Sequence, residues 1–341
     1  MSLKNLSVKN KVHRFFNRKL SNKKINNIYK KFEKSLDINE KFLVAVSGGP
    51  DSLALAFLAK IFSLKKKIPS SFVIIDHGLR KDSKKEAENV KKVLKKNHIN
   101  AEILTWRGKK PSTNIQSLAR NERYNLLYKK SEDENTHNIL VGHHQDDLIE
   151  NFFIRIMRGS GLRGLVSLGK KTMIRNKNLI RPLINQKKDD LTFISQNVFK
   201  FFIQDPSNKD EKYQRVRLRN LISKFKKEGL DHAKILKMIK NLKYSDSVIG
   251  FYVKENLKHN THFNKEKDKM VINSEFFLQP YEIIFRSLSN AIKIIGNKYY
   301  FVRGKKLDLI IEKIMKNPSI KVTLGGCIIK KVNQTVILTK E

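Results

Sequence analysis

The sequence predicts an α/β protein built on a doubly wound parallel sheet. Four short apolar runs, rich in β-branched residues, alternate with segments of helical period between residues 41 and 147. Such alternation is typical of βαβ units. Polar segments at 47–52, 76–77 and 142–147 directly follow three of the apolar runs. Ligands of doubly wound sheets bind at the carboxyl ends of the strands, so a binding site is expected there.

The individual elements can be justified in chain order. Residues 8–36 carry apolar side chains at the spacing of a basic amphipathic helix or helix pair. The run at 41–47 ends at two glycines and is typical of a buried parallel strand, because its residues are apolar on both faces. Further strands are expected at 70–78, 100–106 and 137–147, with helices at 51–62, 83–97 and 114–130.

The pattern changes after Pro206, which predicts a second part of the chain. A basic helix ending at Gly229 precedes more helical sequence, and the polar stretch 259–270 is expected to be an exposed linker. A helix at 281–295 and a final hairpin at 320–341 complete the prediction. The predicted divisions are a basic N-terminal helical segment (1–40), the α/β domain (41–215), a basic helical linker (216–244) and a small C-terminal α+β domain (245–341).

Composition indicates a globular protein from a reducing compartment. A chain of 341 residues, 40% of them hydrophobic, is long enough for two or three domains. The sequence contains no run of about 18 apolar residues, so no membrane span is predicted. The basic N-terminus lacks the apolar core of a secretory signal. The single cysteine, Cys327, excludes a disulfide scaffold and paired-thiol chemistry within the chain, so a cytoplasmic location is expected.

The charge predicts a polyanionic partner. The chain has 71 Lys and Arg against 32 Asp and Glu, a net charge of +39, which attracts nucleic acid or an anionic membrane. Residues 1–35 contain 11 basic residues and one acid, Glu33, and residues 209–227 contain 8 basic and 2 acidic residues. A lysine-rich genome bias is the alternative explanation. Such a bias would spread charge evenly, so the clustering favours a binding surface.

The segment SGGPDS, residues 47–52, predicts a phosphate site. Glycines after a strand let the backbone approach a ligand, and a helix that begins nearby points its free N–H groups into the same space. A plain strand-to-helix turn capped by Asp or Ser is the alternative. The segment is not a Walker A loop. The nearest approach to that motif, residues 164–171, has Lys171 where the Ser or Thr would stand.

A series of motifs in fixed order resembles the tRNA(Ile)-lysidine synthetase family of PP-loop (N-type) ATP pyrophosphatases, whose fold is Rossmann-like. The motifs are SGGPDSLAL, DHGLR, NIQSLARNERY, VGHHQDD, RGSGLRGL, RPL and DPSN. The resemblance covers about residues 41–225, and TLGGCIIKK near the end is similar to the family's C-terminal domain. The ordered set is far more specific than the first loop alone.

The resemblance implies a ligase that joins L-lysine to C2 of the wobble cytidine in the tRNA(Ile) with a CAU anticodon. ATP would first adenylate the base at its C2 oxygen and release pyrophosphate, and the lysine ε-amine would then displace AMP. The implied cofactors are ATP and Mg²⁺, and the implied partners are tRNA(Ile) and L-lysine. No membrane partner is expected, a homodimer is left open, and the C-terminal domain is expected to bind tRNA.

The resemblance also assigns roles to residues. The nucleotide-binding residues are expected to be Ser47, Gly48, Gly49, Pro50, Asp51, Ser52, Asp76 and His77. The catalytic residues are expected to be Asp51, Arg123, His143, Asp147, Glu150 and Arg215, with Asp51 also a ligand of Mg²⁺ or of the lysine ammonium. A structural role is implied for Arg120.

Simpler explanations exist for the same side chains. Acids at a helix N-terminus are ordinary capping, two His with two Asp suit a hydrolase metal site, and arginines at helical spacing often form a solvated face. If a helix begins near Gln145, Asp147 and Glu150 share one side of it and are candidates to hold the lysine ammonium. The chain departs from the family pattern GHHxDDQxET at Leu148 and Asn151.

Three other functions compete. A PP-loop tRNA thiolase would need catalytic or cluster-binding cysteines, and Cys327 lies in a predicted hairpin far along the chain from the loop. An amidotransferase-type or other adenylating synthetase would carry a glutaminase domain or partner and would need no basic arm. A non-enzymatic RNA-binding protein with a degenerate loop would be expected to lack Asp51, Ser52 or His143, and all three are present.

Overall fold

The computed structural model describes residues 3–78, 82–108, 115–204, 211–212, 214–264, 268–298 and 301–341. These residues form two compact units, Met1–Leu236 and Lys237–Glu341. The four domain divisions drawn from the sequence stay predictions. Within the described ranges, no helix is long and apolar enough to cross a membrane.

The first unit contains most of the helices and one mixed sheet. Its strands are β1 (Phe42–Val46), β2 (Ser70–Asp76), β3 (Ala101–Thr105), β4 (Asn138–Leu140), β5 (Lys171–Ile174) and β6 (Lys177–Ile180). Its helices are α1 (Leu3–Leu20), α2 (Lys23–Lys34), α3 (Pro50–Lys66), α4 (Ser83–Lys96), α5 (Ile115–Asp133), α6 (Gln145–Met157), α7 (Leu162–Leu165), α8 (Lys188–Phe199) and α9 (Gln214–Lys227). Helix α10 (His232–Asn260) begins in this unit and continues into the second.

The sheet confirms the predicted α/β class. Its strand order is β3-β2-β1-β4-β6-β5, and every pairing except that of β5 with β6 is parallel. Successive strands β1, β2 and β3 extend the sheet in one direction, and β4 returns to the other side of β1. The carboxyl ends of β1 and β4 therefore flank the topological switch point, where such sheets bind ligands.

Alternate side chains of β1 enter two cores. Val44 joins a cluster with residues of the N-terminal helices and α3, including Phe16, Phe32 and Phe57, all at most 2% exposed. Leu43 points to the opposite face, where Tyr128 of α5 packs. Residues 53–59 of α3 are all buried, so this helix is apolar on every side. Both faces of β1 are covered, which explains its unbroken apolar run.

The second unit combines an antiparallel sheet with two further helices and the end of α10. It contains β7 (Thr261–Asn264), β8 (Lys269–Ile272), α11 (Tyr281–Ile295), α12 (Gly304–Lys316), β9 (Ser319–Leu324), β10 (Cys327–Val332) and β11 (Thr335–Lys340), with a 3₁₀ turn at Ser274–Leu278. The strand order is β7-β8-β11-β10-β9, which confirms the α+β character predicted for the C-terminal region.

Two sequence predictions for this unit are wrong in detail. The stretch 259–270 is not simply an exposed linker, since Thr261–Asn264 pairs with Lys269–Ile272; its many charged and amide side chains hid this strand pair. The final hairpin is a three-stranded meander, because β9 also pairs with β10. Helix α12 was not predicted.

Cys327 is fully buried in the second unit, among the apolar side chains between the sheet and α11. Its Sγ donates a hydrogen bond to the carbonyl oxygen of Ile292 at 3.2 Å. Burial raises the pKa of the thiol to about 11. A buried thiol that stays protonated is a poor nucleophile.

We therefore expect Cys327 in the native chain to react with a thiol-specific disulfide reagent at least on the order of a hundredfold more slowly than in denaturant, because both thiolate fraction and access fall. Absorbance kinetics at neutral pH, with a Cys327→Ala chain as the blank, measure both rates. Equal rates in the two states would contradict the buried position.

Candidate active site

A cavity of about 750 Å³ opens in the first unit at the carboxyl ends of β1, β2 and β4. Most of the side chains expected to carry chemistry line it. These are Ser47, Gly49, Pro50, Asp51, Ser52, His77, Arg123, His143, Asp147 and Arg215. Gly48, Asp76 and Glu150 are the expected site residues that lie behind its wall. Arg80 and the segment 205–208, which belong to the family motifs, lie outside the described residues.

The loop between β1 and α3 is shaped as an anion cradle. Gly48 has a φ of +85°, and a Cβ there would lie 2.5 Å from Cγ2 of Val90, so only glycine fits. The backbone N–H and Oγ of Ser47 donate to Ser52 Oγ at 3.1 and 3.2 Å, and Ser52 Oγ donates to the carbonyl oxygen of Gly49 at 3.0 Å. No side chain caps the N-terminus of α3. Its free N–H groups therefore remain available to a phosphate.

Asp51 lies in the first turn of α3 and carries an unsatisfied oxygen. Its Oδ1 is buried without a hydrogen-bond partner among the described residues, and its Oδ2 lies 3.5 Å from Nε2 of His144. No group of three or more His, Cys, Asp or Glu side chains suited to a metal occurs in the part of the chain that is described. Mg²⁺ is usually held by one or two carboxylates together with substrate phosphates, so a lone carboxylate beside a phosphate cradle fits this ion.

The segment after β4 forms a capped helix start, as the predicted beginning near Gln145 requires. His144 is the N-cap of α6: its Nδ1 accepts the N–H of Asp146 at 3.2 Å, and its own N–H donates to Oδ2 of Asp147 at 3.0 Å. Since Nδ1 accepts a hydrogen bond, the proton of the neutral ring lies on Nε2, which faces Asp51. Only His143 was predicted to be catalytic, although the position of His144 directly before a predicted helix is typical of a helix cap.

The two adjacent histidines have opposite electrostatic settings. Burial, together with the charges of Arg181 and Arg120 and against the opposing effect of Asp147, lowers the pKa of His143 to about 4. His143 Nδ1 is buried and has no hydrogen-bond partner among the described residues. Burial also acts to lower the pKa of His144, but the hydrogen bond to Asp51 and the neighbouring carboxylates raise it overall.

Asp147 is held ionised at the cavity wall. Burial acts to raise the pKa of its carboxyl group, but the neighbouring His144 and His143, the backbone hydrogen bond from His144 and the charge of Arg215 lower it overall. The side chain is only 18% exposed. A carboxylate in this setting is an acceptor for a cation that enters the cavity.

Glu150 lies one turn further along α6 and faces another helix. It is 3% exposed, its Oε1 accepts a hydrogen bond from Arg219 Nε at 2.5 Å, and its Oε2 lies 4.0 Å from Arg215 Nε. The rings of Phe153 and Phe225 stack across the same helix pair at 6.0 Å. Glu150 thus holds α9 against α6. The sequence interpretation favoured Arg215 alone, but Arg219 also lines the cavity, since i and i+4 share a helix face.

Helix α5 contributes two arginines to the cavity. Arg123 is exposed within the cavity. Partial desolvation by the surrounding protein, together with the charges of Arg120 and Arg215, lowers the pKa of its guanidinium. Arg120, for which the resemblance implied a structural role, also lines the cavity. Asp76 is buried at the end of β2, where its Oδ1 accepts the N–H of Gly78 at 2.9 Å. It shapes the turn that carries His77.

The two histidines should titrate separately in the ligand-free protein. We expect His143 to titrate at about 4 and His144 above the ordinary value of about 6.5. Ring resonances followed by NMR against pH give both values, and His143→Asn and His144→Asn chains assign them. Two midpoints near 6.5 would contradict this setting.

The signs of the two stability contributions follow from these shifts. His144 has a raised native pKa, so its contribution is present below about 6.5 and lost as pH rises through that raised value. His143 has a lowered native pKa, so its contribution is present above about 6.5 and lost as pH falls. The free energy of unfolding of the His143→Asn chain should therefore fall less on acidification than that of the wild type.

Known PP-loop proteins are similar to this chain in sequence. Residues 17–225 match the PP-loop domain family. The chain is 34% identical over 317 residues to a tRNA(Ile)-lysidine synthase of Orientia tsutsugamushi, covering 89% of this chain and 70% of that protein. It is 31% identical over 306 residues to one from Wolbachia pipientis wMel, covering 89% and 71%.

A solved structure shares the fold. The U34-tRNA thiolase NcsA from Methanococcus maripaludis aligns with a TM-score of 0.54 and 20% identity, over 64% of this chain and 79% of that one. An identity this low shows the fold alone. The PP-loop match and the extent of the similarity to the two relatives decide the family: this chain belongs to the tRNA(Ile)-lysidine synthases, which are PP-loop proteins.

Proposed function

We propose that this chain joins L-lysine to C2 of the wobble cytidine in the tRNA(Ile) with a CAU anticodon, by way of an adenylated cytidine, and releases pyrophosphate and AMP. One observation carries the proposal. A phosphate cradle at the N-terminus of α3 and an ionised carboxylate beside a neutral histidine at the N-terminus of α6 line the same cavity. Activation by ATP and attack by an amine need these two groups side by side.

In the first step the C2 oxygen of the cytidine attacks the α-phosphorus of ATP. The new bond joins that oxygen to the adenylyl group, and pyrophosphate leaves with the electrons of the broken P–O bond. Ser47, Gly49 and Ser52, with the free N–H groups of α3, bind the leaving pyrophosphate and stabilise its charge. Mg²⁺, when bound, would neutralise phosphate charge, and Asp51 would hold it through its unpartnered oxygen.

In the second step the lysine ε-amine attacks C2 and AMP leaves. The amine has an ordinary pKa of about 10.4, so its ammonium must first release a proton to solvent. The amine then bonds to C2, and AMP leaves with the electrons of the broken C2–O bond. Asp147 attracts the ammonium, while the cations of Arg123 and Arg215 favour the neutral amine and stabilise the departing AMP. His143, with its pKa lowered to about 4, remains neutral, which suits hydrogen bonding to the adenylated base.

Glu150 has a different task in this proposal. Its carboxylate already binds Arg219 and faces Arg215, so a lysine ammonium would have to displace an arginine to reach it. We assign it the positioning of the two arginines, and assign the ammonium to Asp147, with Asp51 next to it. The nucleotide-binding role of His77 rests on its place in the cavity wall.

A thiolase, the first alternative, is disfavoured by Cys327. It is the only cysteine of the sequence, and it is buried with a raised pKa inside the second unit. The net charge of +39 supports an RNA substrate. The binding of tRNA by the second unit, a homodimer and a cytoplasmic location stay predictions.

The assay that tests the proposal is ATP-dependent attachment of radiolabelled lysine to a tRNA(Ile) transcript with a CAU anticodon. Asp51→Asn should abolish both pyrophosphate release and lysine attachment in a chain that still unfolds cooperatively, since Asp51 lies outside the apolar core. Asp37→Asn changes an exposed carboxylate outside the cavity and should leave both activities intact. Normal lysine attachment by Asp51→Asn, or none by the wild type, would refute the proposal.

The role of Glu150 is tested by a double-mutant cycle. Glu150→Gln and Arg219→Gln should each lower lysine attachment, and the double variant should be little worse than either, because each change removes the same pair. Kinetics with varied lysine give kcat and KM for all three. If Glu150→Gln alone raises the KM for lysine, while Arg219→Gln does not, Glu150 binds lysine directly.

A further inference from the structure

Helix α5 carries a stack of side chains that ends at the cavity. The rings of Tyr124 and Tyr128, one turn apart, are nearly parallel, with centroids 6.1 Å apart and planes inclined by 23°. The guanidinium carbon of Arg120 lies over the ring of Tyr124 at 5.2 Å from its centroid. On the other side of the stack, the exposed Arg175, in the turn between β5 and β6, lies over Tyr128 at 5.5 Å. Aromatic and guanidinium groups thus follow one another to the cavity, with the buried Tyr128 among them.

The buried Tyr128 fixes this stack, and the end of the stack at the cavity is accessible. Tyr128 is 5% exposed and packs in the core with Leu43 and Ile139. Tyr124 is half-buried and lines the cavity together with Arg120, which is exposed. The Nη2 of Arg120 also donates to the hydroxyl oxygen of Tyr124 at 3.4 Å. The tyrosines therefore restrict the orientation of a guanidinium that faces the cavity.

Nothing in the first unit suggests that Arg120 is held for an ion pair. Among the described residues, its recorded contacts are with the ring and hydroxyl of Tyr124, and no carboxylate lies within ion-pair distance. Its charge instead adds to a cationic wall, since it lowers the pKa values of Arg123, His143 and Arg181. An exposed guanidinium with no carboxylate partner is available to an electron-rich group of a ligand.

We propose that the Arg120 guanidinium, supported by Tyr124 and Tyr128, is the plane on which a base of the RNA substrate stacks as it enters the cavity. The inference rests on the proposed function and extends it to how the base is held. Unpaired RNA bases stack on aromatic rings and on arginine planes. The charge of Arg120 acts on His143, and the proposed function places His143 beside the base that reacts.

The chemistry of the side chain gives two informative variants. Arg120→Lys keeps the positive charge and loses the plane. Arg120→Trp keeps a plane and loses the charge, and an indole also stacks on bases. Arg217→Lys is the matched control, because Arg217 is on α9, lies outside the cavity lining, and donates to the carbonyl oxygens of Glu211 and Lys212.

The experiment measures binding of the full chain to an anticodon stem-loop RNA with either cytidine or an abasic residue at the wobble position. Arg120→Lys should bind the cytidine RNA on the order of tenfold more weakly, while its binding of the abasic RNA changes by less than about twofold. Arg120→Trp should bind the cytidine RNA more tightly than Arg120→Lys does. The KM for ATP should not change in either variant, and Arg217→Lys should behave as wild type.

Each remaining outcome overturns the inference. An equal loss of binding to both RNAs would show that Arg120 acts without the wobble base. A raised KM for ATP with unchanged RNA binding would assign the plane to adenine. The proposed function fails separately, through a wild-type chain that attaches no lysine. If the wild type attaches lysine and the Arg120→Lys chain binds both RNAs normally, only the stacking role of Arg120 is refuted.

Discussion

His144 Nε2 lies 3.5 Å from Asp51 Oδ2 and 3.6 Å from Asp147 Oδ2, and this cluster joins the N-termini of α3 and α6. Each helix leaves the sheet at the switch point, and each would separately direct its N–H groups and positive dipole end outward. The buried histidine between two carboxylates holds the two ends side by side. Gly142 permits the approach, because a Cβ there would lie 3.3 Å from the backbone of Ser52.

The rest of the cavity is arranged by charge around this junction. Asp51 and Asp147 contribute acidic side chains to the lining, and helices α5 and α9 supply arginines. Those arginines repel one another, so their placement has a cost that neighbouring groups must offset. On the α9 side, the buried carboxylate of Glu150 faces two arginines and offsets this repulsion. On α5, the ring of Tyr124 supports Arg120. Removal of either support would free a cation in a site that depends on fixed charge.

The distribution of charge also accounts for the opposite pKa shifts of the two histidines. His143 and His144 are adjacent in the chain, yet the first is directed toward the arginines and the second between the carboxylates. A neutral ring and a ring that readily takes a proton therefore lie next to each other. Two residues of one type can acquire separate tasks in this way, because the environment sets the pKa.

The parallel α/β sheet and the position of the cavity at its switch point could both be predicted from the sequence. The signals for both are local. The apolar run before Gly48, the glycines that let the backbone approach a ligand closely, and the helix start at Gln145 can each be predicted from neighbouring residues. The strand pair at 261–272 was not predicted, because its polar side chains are typical of a loop. Only its pairing with another strand of the sheet decides its conformation. The sequence also left open which of two acids lines the cavity, since Asp147 and Glu150 share a helix side and only the docking of α9 directs Glu150 to Arg219. The contacts of His144 and Arg120 depend on residues distant in the chain or on the shape of the cavity, and such contacts exist only once the chain has folded.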